Sequence, residues 1–163
     1  MRSLVLIGLV SISSFDVLPQ KPTASAIRDL LKPMEKPGEG ESVAWMACDE
    51  DSTYYLNDTV KLYRNYYYCF GSGCCRFVRW HLAPKYTLTL TEFRFCQEPP
   101  VSGVRMENQD LKFKIKRSGN MVTIAVLRNK EVIDKFEVVD LRTVTLPESN
   151  QTSERLTLRR IRS

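Results

Sequence analysis

The sequence predicts a mostly β domain: an antiparallel meander forming a sandwich or barrel, with a short N-terminal helix and disulfides in the central segment. Three observations predict it. Apolar and polar residues alternate over several runs of strand length. Turn signals separate these runs at intervals of roughly 8–12 residues, the rhythm of all-β domains. Five cysteines, Cys48, Cys69, Cys74, Cys75 and Cys96, crowd into one central stretch.

The chain opens with Met1-Arg2-Ser3, the apolar run Leu4–Val10 and the small residues Ser11 and Ser13. One positive charge, an apolar core and small residues make the pattern of a secretory signal over residues 1–14. The competing reading is a buried first strand of a cytosolic protein. Residues 15–42 form an irregular lead, broken by Pro19, Pro22, Pro33 and Pro37. Within it Ala24–Leu31 can make a short helix, with Thr23 as N-cap and Pro33 forcing a stop. Gly38–Ser42 reads as a linker. No stretch reaches the roughly 18 apolar residues of a membrane helix, so no transmembrane segment is expected.

A single β-rich domain is expected over residues 43–147. Thr87–Thr91 alternates strictly, and Phe93 then continues on the other parity, which predicts a bulge near Glu92. Leu111, Phe113 and Ile115 alternate with Lys112, Lys114 and Lys116. Ser118-Gly119-Asn120 and Arg128-Asn129-Lys130 supply turns on either side of Val122, Ile124 and Val126. Val132–Val139 returns, and Thr143–Leu146 adds a further strand. The faces Phe113/Ile115, Val122/Ile124/Val126 and Phe136/Val138 should supply much of the core. Such alternation is shared by antiparallel sheets at large and singles out no family. Residues 148–163 read as a basic C-terminal tail, frayed and solvated, whose four arginines could touch phosphate, heparin or anionic lipid.

Composition narrows the function. The chain of 163 residues carries 24 Lys+Arg against 19 Asp+Glu, a net charge of +5 spread along its length. That permits an acidic partner without requiring one. His81 is the only histidine, and no nucleophile elbow, HExxH or P-loop is present, so no enzyme activity and no cofactor are expected. The acidic run Asp49-Glu50-Asp51 lacks the alternation of a calcium loop and reads as a solvated turn.

In an oxidising compartment five cysteines make two bridges and one spare thiol, with the pairing left open. The spare could link two chains as a homodimer. The rival is zinc, held by Cys69, Cys74, Cys75 and His81, although the spacing matches no standard finger. Asn57-Asp58-Thr59 and Asn150-Gln151-Thr152 are glycosylation sequons. Ten of the sixteen aromatics lie between Tyr54 and Tyr86, interleaved with Lys and Arg. Tyr and Trp supply rigid amphipathic contact area and Arg a planar fork of donors. The reading that follows is a secreted, non-enzymatic binding or effector protein. It recognises a protein or glycan through Tyr63, Arg64, Tyr66, Tyr67, Arg76, Arg79 and Trp80. The alternative is an intracellular, zinc-stabilised regulator that binds nucleic acid.

Overall fold

The structure, a computed structural model, describes residues 22–32, 44–64, 73–94, 101–103, 111–145 and 152–162. The apolar run 4–10, Tyr66, Tyr67, Cys69, Cys96 and Asn150 lie outside them. In chain order the elements are α1 (Ala24–Leu30), β1 (Ala44–Cys48), a 3-10 turn, the one-turn helix α2 (Thr53–Leu56), β2 (Thr59–Tyr63), β3 (Arg76–Ala83), β4 (Thr87–Arg94), β5 (Val101–Gly103), β6 (Leu111–Ser118), β7 (Met121–Arg128), β8 (Glu131–Thr145) and β9 (Thr152–Arg160).

All pairings between these strands are antiparallel, and they close on themselves. The ring runs β1, β3, β4, β6, β7, β8, β9, β2 and back to β1, eight strands in all, with β5 attached to the end of β4. Of the two architectures expected, the barrel is therefore the one formed. Closure leaves no open sheet edge around the ring, which removes the usual template for edge-to-edge aggregation. The narrowest seams are β1–β2, paired at Met46↔Tyr63, and β4–β6, paired at Thr87↔Lys112 and Leu88↔Leu111.

Strand alternation decides what faces inward. Trp45 and Ala47 on β1, Val78, Trp80 and Leu82 on β3, Leu88 and Leu90 on β4, Phe113 on β6, Val122, Ile124 and Val126 on β7, Phe136 and Val138 on β8, and Leu156 and Leu158 on β9 form one continuous core. An eight-stranded barrel is just wide enough for its inward side chains to fill it. The helix α1 adds Ala24, Ile27 and Leu31 to that core. Thr23 caps it as expected, accepting from the Ala26 amide at 3.1 Å. Its Arg28 donates to the Ile115 carbonyl, near the β6–β7 turn. The predicted faces on β6, β7 and β8 are thus core, with Ile115 partly buried. Gly119, Asn129 and Lys130 adopt left-handed φ in the two predicted hairpin turns.

Several expectations are corrected. No bulge interrupts β4, whose register against β3 is continuous from Thr87 to Arg94. The parity change at Phe93 has another cause: Phe93 points outward and packs on Met46, Cys74 and Phe77 in a second cluster outside the barrel. The register shifts lie instead at Val126/Leu127 and Val138/Asp140. Residues 143–145 are not a separate strand but the end of the fifteen-residue β8. Residues 152–160, expected as a solvated tail, are the strand that joins β8 to β2, with Leu156 and Leu158 fully buried. Trp80, expected on a recognition surface, is 1 % exposed and lies inside the barrel.

That placement predicts the outcome of Trp80→Ala. Loss of the indole from a packed core should destabilise the fold by about 3–5 kcal/mol, measured by denaturant unfolding. A change below about 0.5 kcal/mol would mean the side chain is on the surface.

Candidate functional site

Two regions collect the polar and aromatic side chains that the sequence places between residues 45 and 94. The first is the outer wall of β2, β1 and β3. Tyr63 pairs with Met46, and Met46 pairs with Arg79, so these three residues share one register row. Neighbouring strands lie about 4.8 Å apart, which puts Tyr63 and Arg79 roughly 10 Å from each other. Residues directly opposite on a sheet share a face, and Met46 belongs to the external cluster, so the row faces outward. The guanidinium of Arg79 stacks over the Phe93 ring, 4.4 Å from its centroid.

A disulfide pins this wall. Cys48 and Cys74 are bonded, with Cα atoms 6.0 Å apart and a sequence separation of 26. Cys75 is also disulfide-bonded. Its backbone N–H donates to a Glu50 carboxylate oxygen at 3.0 Å. Zinc ligation by Cys74 and Cys75 would require sulfurs that are already committed to bridges. Among the described residues the grouping Cys48, Glu50, Cys74 is this same disulfide with Glu50 beside it. The other end of the 65–72 segment is held as well. Arg64 donates its backbone N–H to the Glu154 carbonyl at 3.1 Å, and its guanidinium pairs with the Glu154 carboxylate.

The second region is the barrel end crossed by α2. Asp49 is 2 % exposed, not the solvated turn residue expected. It accepts from the Tyr54 amide at 3.0 Å, and its own amide donates to the Arg76 carbonyl. The Arg76 guanidinium stands 3.8 Å from the same carboxylate. Tyr54 points into the core, where its hydroxyl accepts from Trp80 Nε1 at 2.8 Å. Burial pushes the Tyr54 phenol well above the ordinary tyrosine range, against the opposing pull of that hydrogen bond. Arg160, at the end of β9, donates from Nη1 to the carbonyls of Tyr54, Tyr55 and Asn57. Its other face pairs with Asp134 at 3.0 Å.

The structure thus brings Tyr63 and Arg79 together, sends Arg76 to the α2 end and buries Trp80. Asn57 is exposed at the C-terminus of α2. Sequence reasoning missed Asp49, Tyr54, Asp134 and Arg160, which meet across about 100 residues of chain with no shared spacing.

Two outcomes follow from this chemistry. Replacing Cys48 and Cys74 together by Ala should cost about 3–4 kcal/mol in denaturant unfolding, from loop-closure entropy returned to the unfolded chain. Tyr54→Phe should cost about 1–3 kcal/mol by stranding the Trp80 N–H. The unfolded tyrosine ionises near pH 10 while the folded one keeps its proton, so stability is full below pH 10 and falls as pH rises beyond it. Thermal melts from pH 9 to 11.5 should show a steeper loss in the wild type than in Tyr54→Phe, and equal slopes would contradict the burial argument.

No protein-family model, no curated protein and no solved structure matches the chain, so its geometry alone carries the functional reading.

Proposed function

We propose that this protein is an exported, disulfide-crosslinked β-barrel that acts by binding a protein or glycan, without catalysis. The contact surface is the outer wall of β2, β1 and β3, to which the tyrosines of residues 65–72 are added on the sequence alone. One observation carries the reading: Tyr63 and Arg79 occupy a single outward register row beside the Cys48–Cys74 bridge. Anchoring both flanks of an aromatic segment lowers the ordering entropy that a contact must overcome. Tyr66 and Tyr67 enter as contact residues on the sequence, Tyr63, Arg64 and Arg79 on the sequence and their position, and Arg76 as a support at the barrel end. Trp80 is removed from the surface and kept as core.

Export supports the reading because bridges at Cys48–Cys74 and Cys75 persist in oxidising compartments. The same reading includes removal of residues 1–14, glycans on Asn57 and Asn150, and a spare cysteine able to join two copies. No helix among the described residues is long and apolar enough to cross a membrane. No observation favours the intracellular zinc reading, which needs Cys74 and Cys75 reduced.

The test uses the full chain purified from secreting cells and displayed against arrays of extracellular proteins and glycans. Tyr67→Ala and Arg79→Ala should each weaken the captured partner's affinity at least tenfold, about 1.4 kcal/mol, with the melting temperature held within a few degrees. Unchanged affinity in both variants, or losses of affinity that track losses of stability, would remove this wall as the contact surface.

A further inference from the structure

The sequence spreads its positive charge, but the fold does not. Lys112, Lys114 and Lys116 alternate along β6 with Leu111, Phe113 and Ile115, which face the core side. All three lysines therefore stand on the outside of the barrel, about 7 Å apart along the strand. Lys114 pairs across Ala125 of β7 to Lys135 of β8, two strand spacings or roughly 10 Å away. The outward floor is Ala125 between Lys114 and Lys135, and Thr123 between Lys116 and Glu137, both short. The strand β7 carries no carboxylate at all.

The arginines of the C-terminal strand differ from these lysines. Arg155 lies 3.6 Å from Asp140, Arg159 pairs with Glu137, Arg160 with Asp134 and Arg162 with Asp58. Three of the four carboxylates of β8, Asp134, Glu137 and Asp140, are thereby taken up by β9, and Glu131 stands exposed at the β7–β8 turn. Lys114, Lys116 and Lys135 are exposed and have no acidic partner among the described residues, while Lys112 donates to the Thr87 hydroxyl. The result is a wall with four ammonium groups, on which the Glu137 carboxylate is held by Arg159. Such a wall attracts a polyanion whose charges are also set at regular intervals.

From this we infer that the outer wall of β6, β7 and β8 binds a sulfated glycosaminoglycan. A single-stranded nucleic acid would want aromatic platforms for its bases, and Ala125, Thr123 and Leu127 supply none between the lysines. Duplex recognition would want a helix or ribbon to enter a groove, and this wall is a closed sheet. Lysine presents a compact, mobile point charge, suited to sulfates along a flexible sugar chain. The assignment rests on the extracellular reading above, and it concerns a wall separate from that of Tyr63 and Arg79.

The test is elution of the full chain from immobilised heparin and from a sulfopropyl resin, with competition measured near 0.15 M NaCl. The wild type should need more salt to leave heparin than to leave sulfopropyl. In Lys114→Gln/Lys116→Gln/Lys135→Gln that difference should vanish and heparin affinity fall at least tenfold. A control with the same charge change away from this wall, Lys32→Gln/Lys61→Gln/Lys85→Gln, should keep it. Equal elution from both resins, equal losses in both triple variants, or equal displacement by oligo(dT) would overturn the assignment. Failure of export would show separately, as cytosolic protein that keeps Met1 and still prefers heparin.

Discussion

Arg160 joins parts of the barrel that the chain keeps far apart. A one-turn helix laid across a barrel end leaves carbonyls with no intrahelical partner, and burying them unpaired would cost free energy. Arg160 supplies donors to three of them and gives its other side to Asp134. Its guanidinium also lies over the rings of Tyr54 and Phe136, at 5.6 and 5.1 Å. A charge so placed is tolerable only because it is both paired and hydrogen-bonded. The same strand, β9, is what lets β2 meet β8, so the ring and its lid depend on one segment. Tyr54 completes the arrangement by accepting from Trp80 inside the core.

Side chains fill the interior, and the proposed contacts lie on the outside of the barrel. The two walls offer different chemistry. Around β1 and β3 an apolar cluster of Met46, Cys74 and Phe77, with Phe93 against it, sits outside the barrel under a stacked arginine. Around β6 and β8 lysines stand over a floor of small residues on β7, with Val132, Ile133 and Val139 of β8 also exposed. A barrel suits this division because alternate residues of each strand are free to vary outward while the others keep the core.

Much of the fold was legible where one face is buried and the other solvated. The alternation through Phe113, Ile124 and Phe136 and the turns at Gly119 and Asn129 describe β6, β7 and β8 closely. The last strand was harder. Leu156-Thr157-Leu158 alternates, but the arginines around it read as a solvated tail, because the acids that neutralise them lie on β8 and in the α2–β2 connection. Phe93 misled for the opposite reason: an apolar residue on the outward parity implied a bulge, when a second, external cluster was waiting for it. Trp80 was read as surface because it sits among arginines in sequence, yet Val78, Trp80 and Leu82 share an inward parity that could have placed it. The Asp49–Tyr54–Arg160–Asp134 network leaves no local trace, since it depends on the closure itself.

The proposed function rests on sulfur that crosslinks in an exported chain. Intact mass spectrometry of the protein recovered from secreting cells, alkylated before and after reduction, tests this most directly. The account predicts a mature chain lacking the opening apolar run, one thiol that alkylates at once, and four that react only after reduction. A chain that begins at Met1 with all five cysteines alkylating without reductant would contradict it.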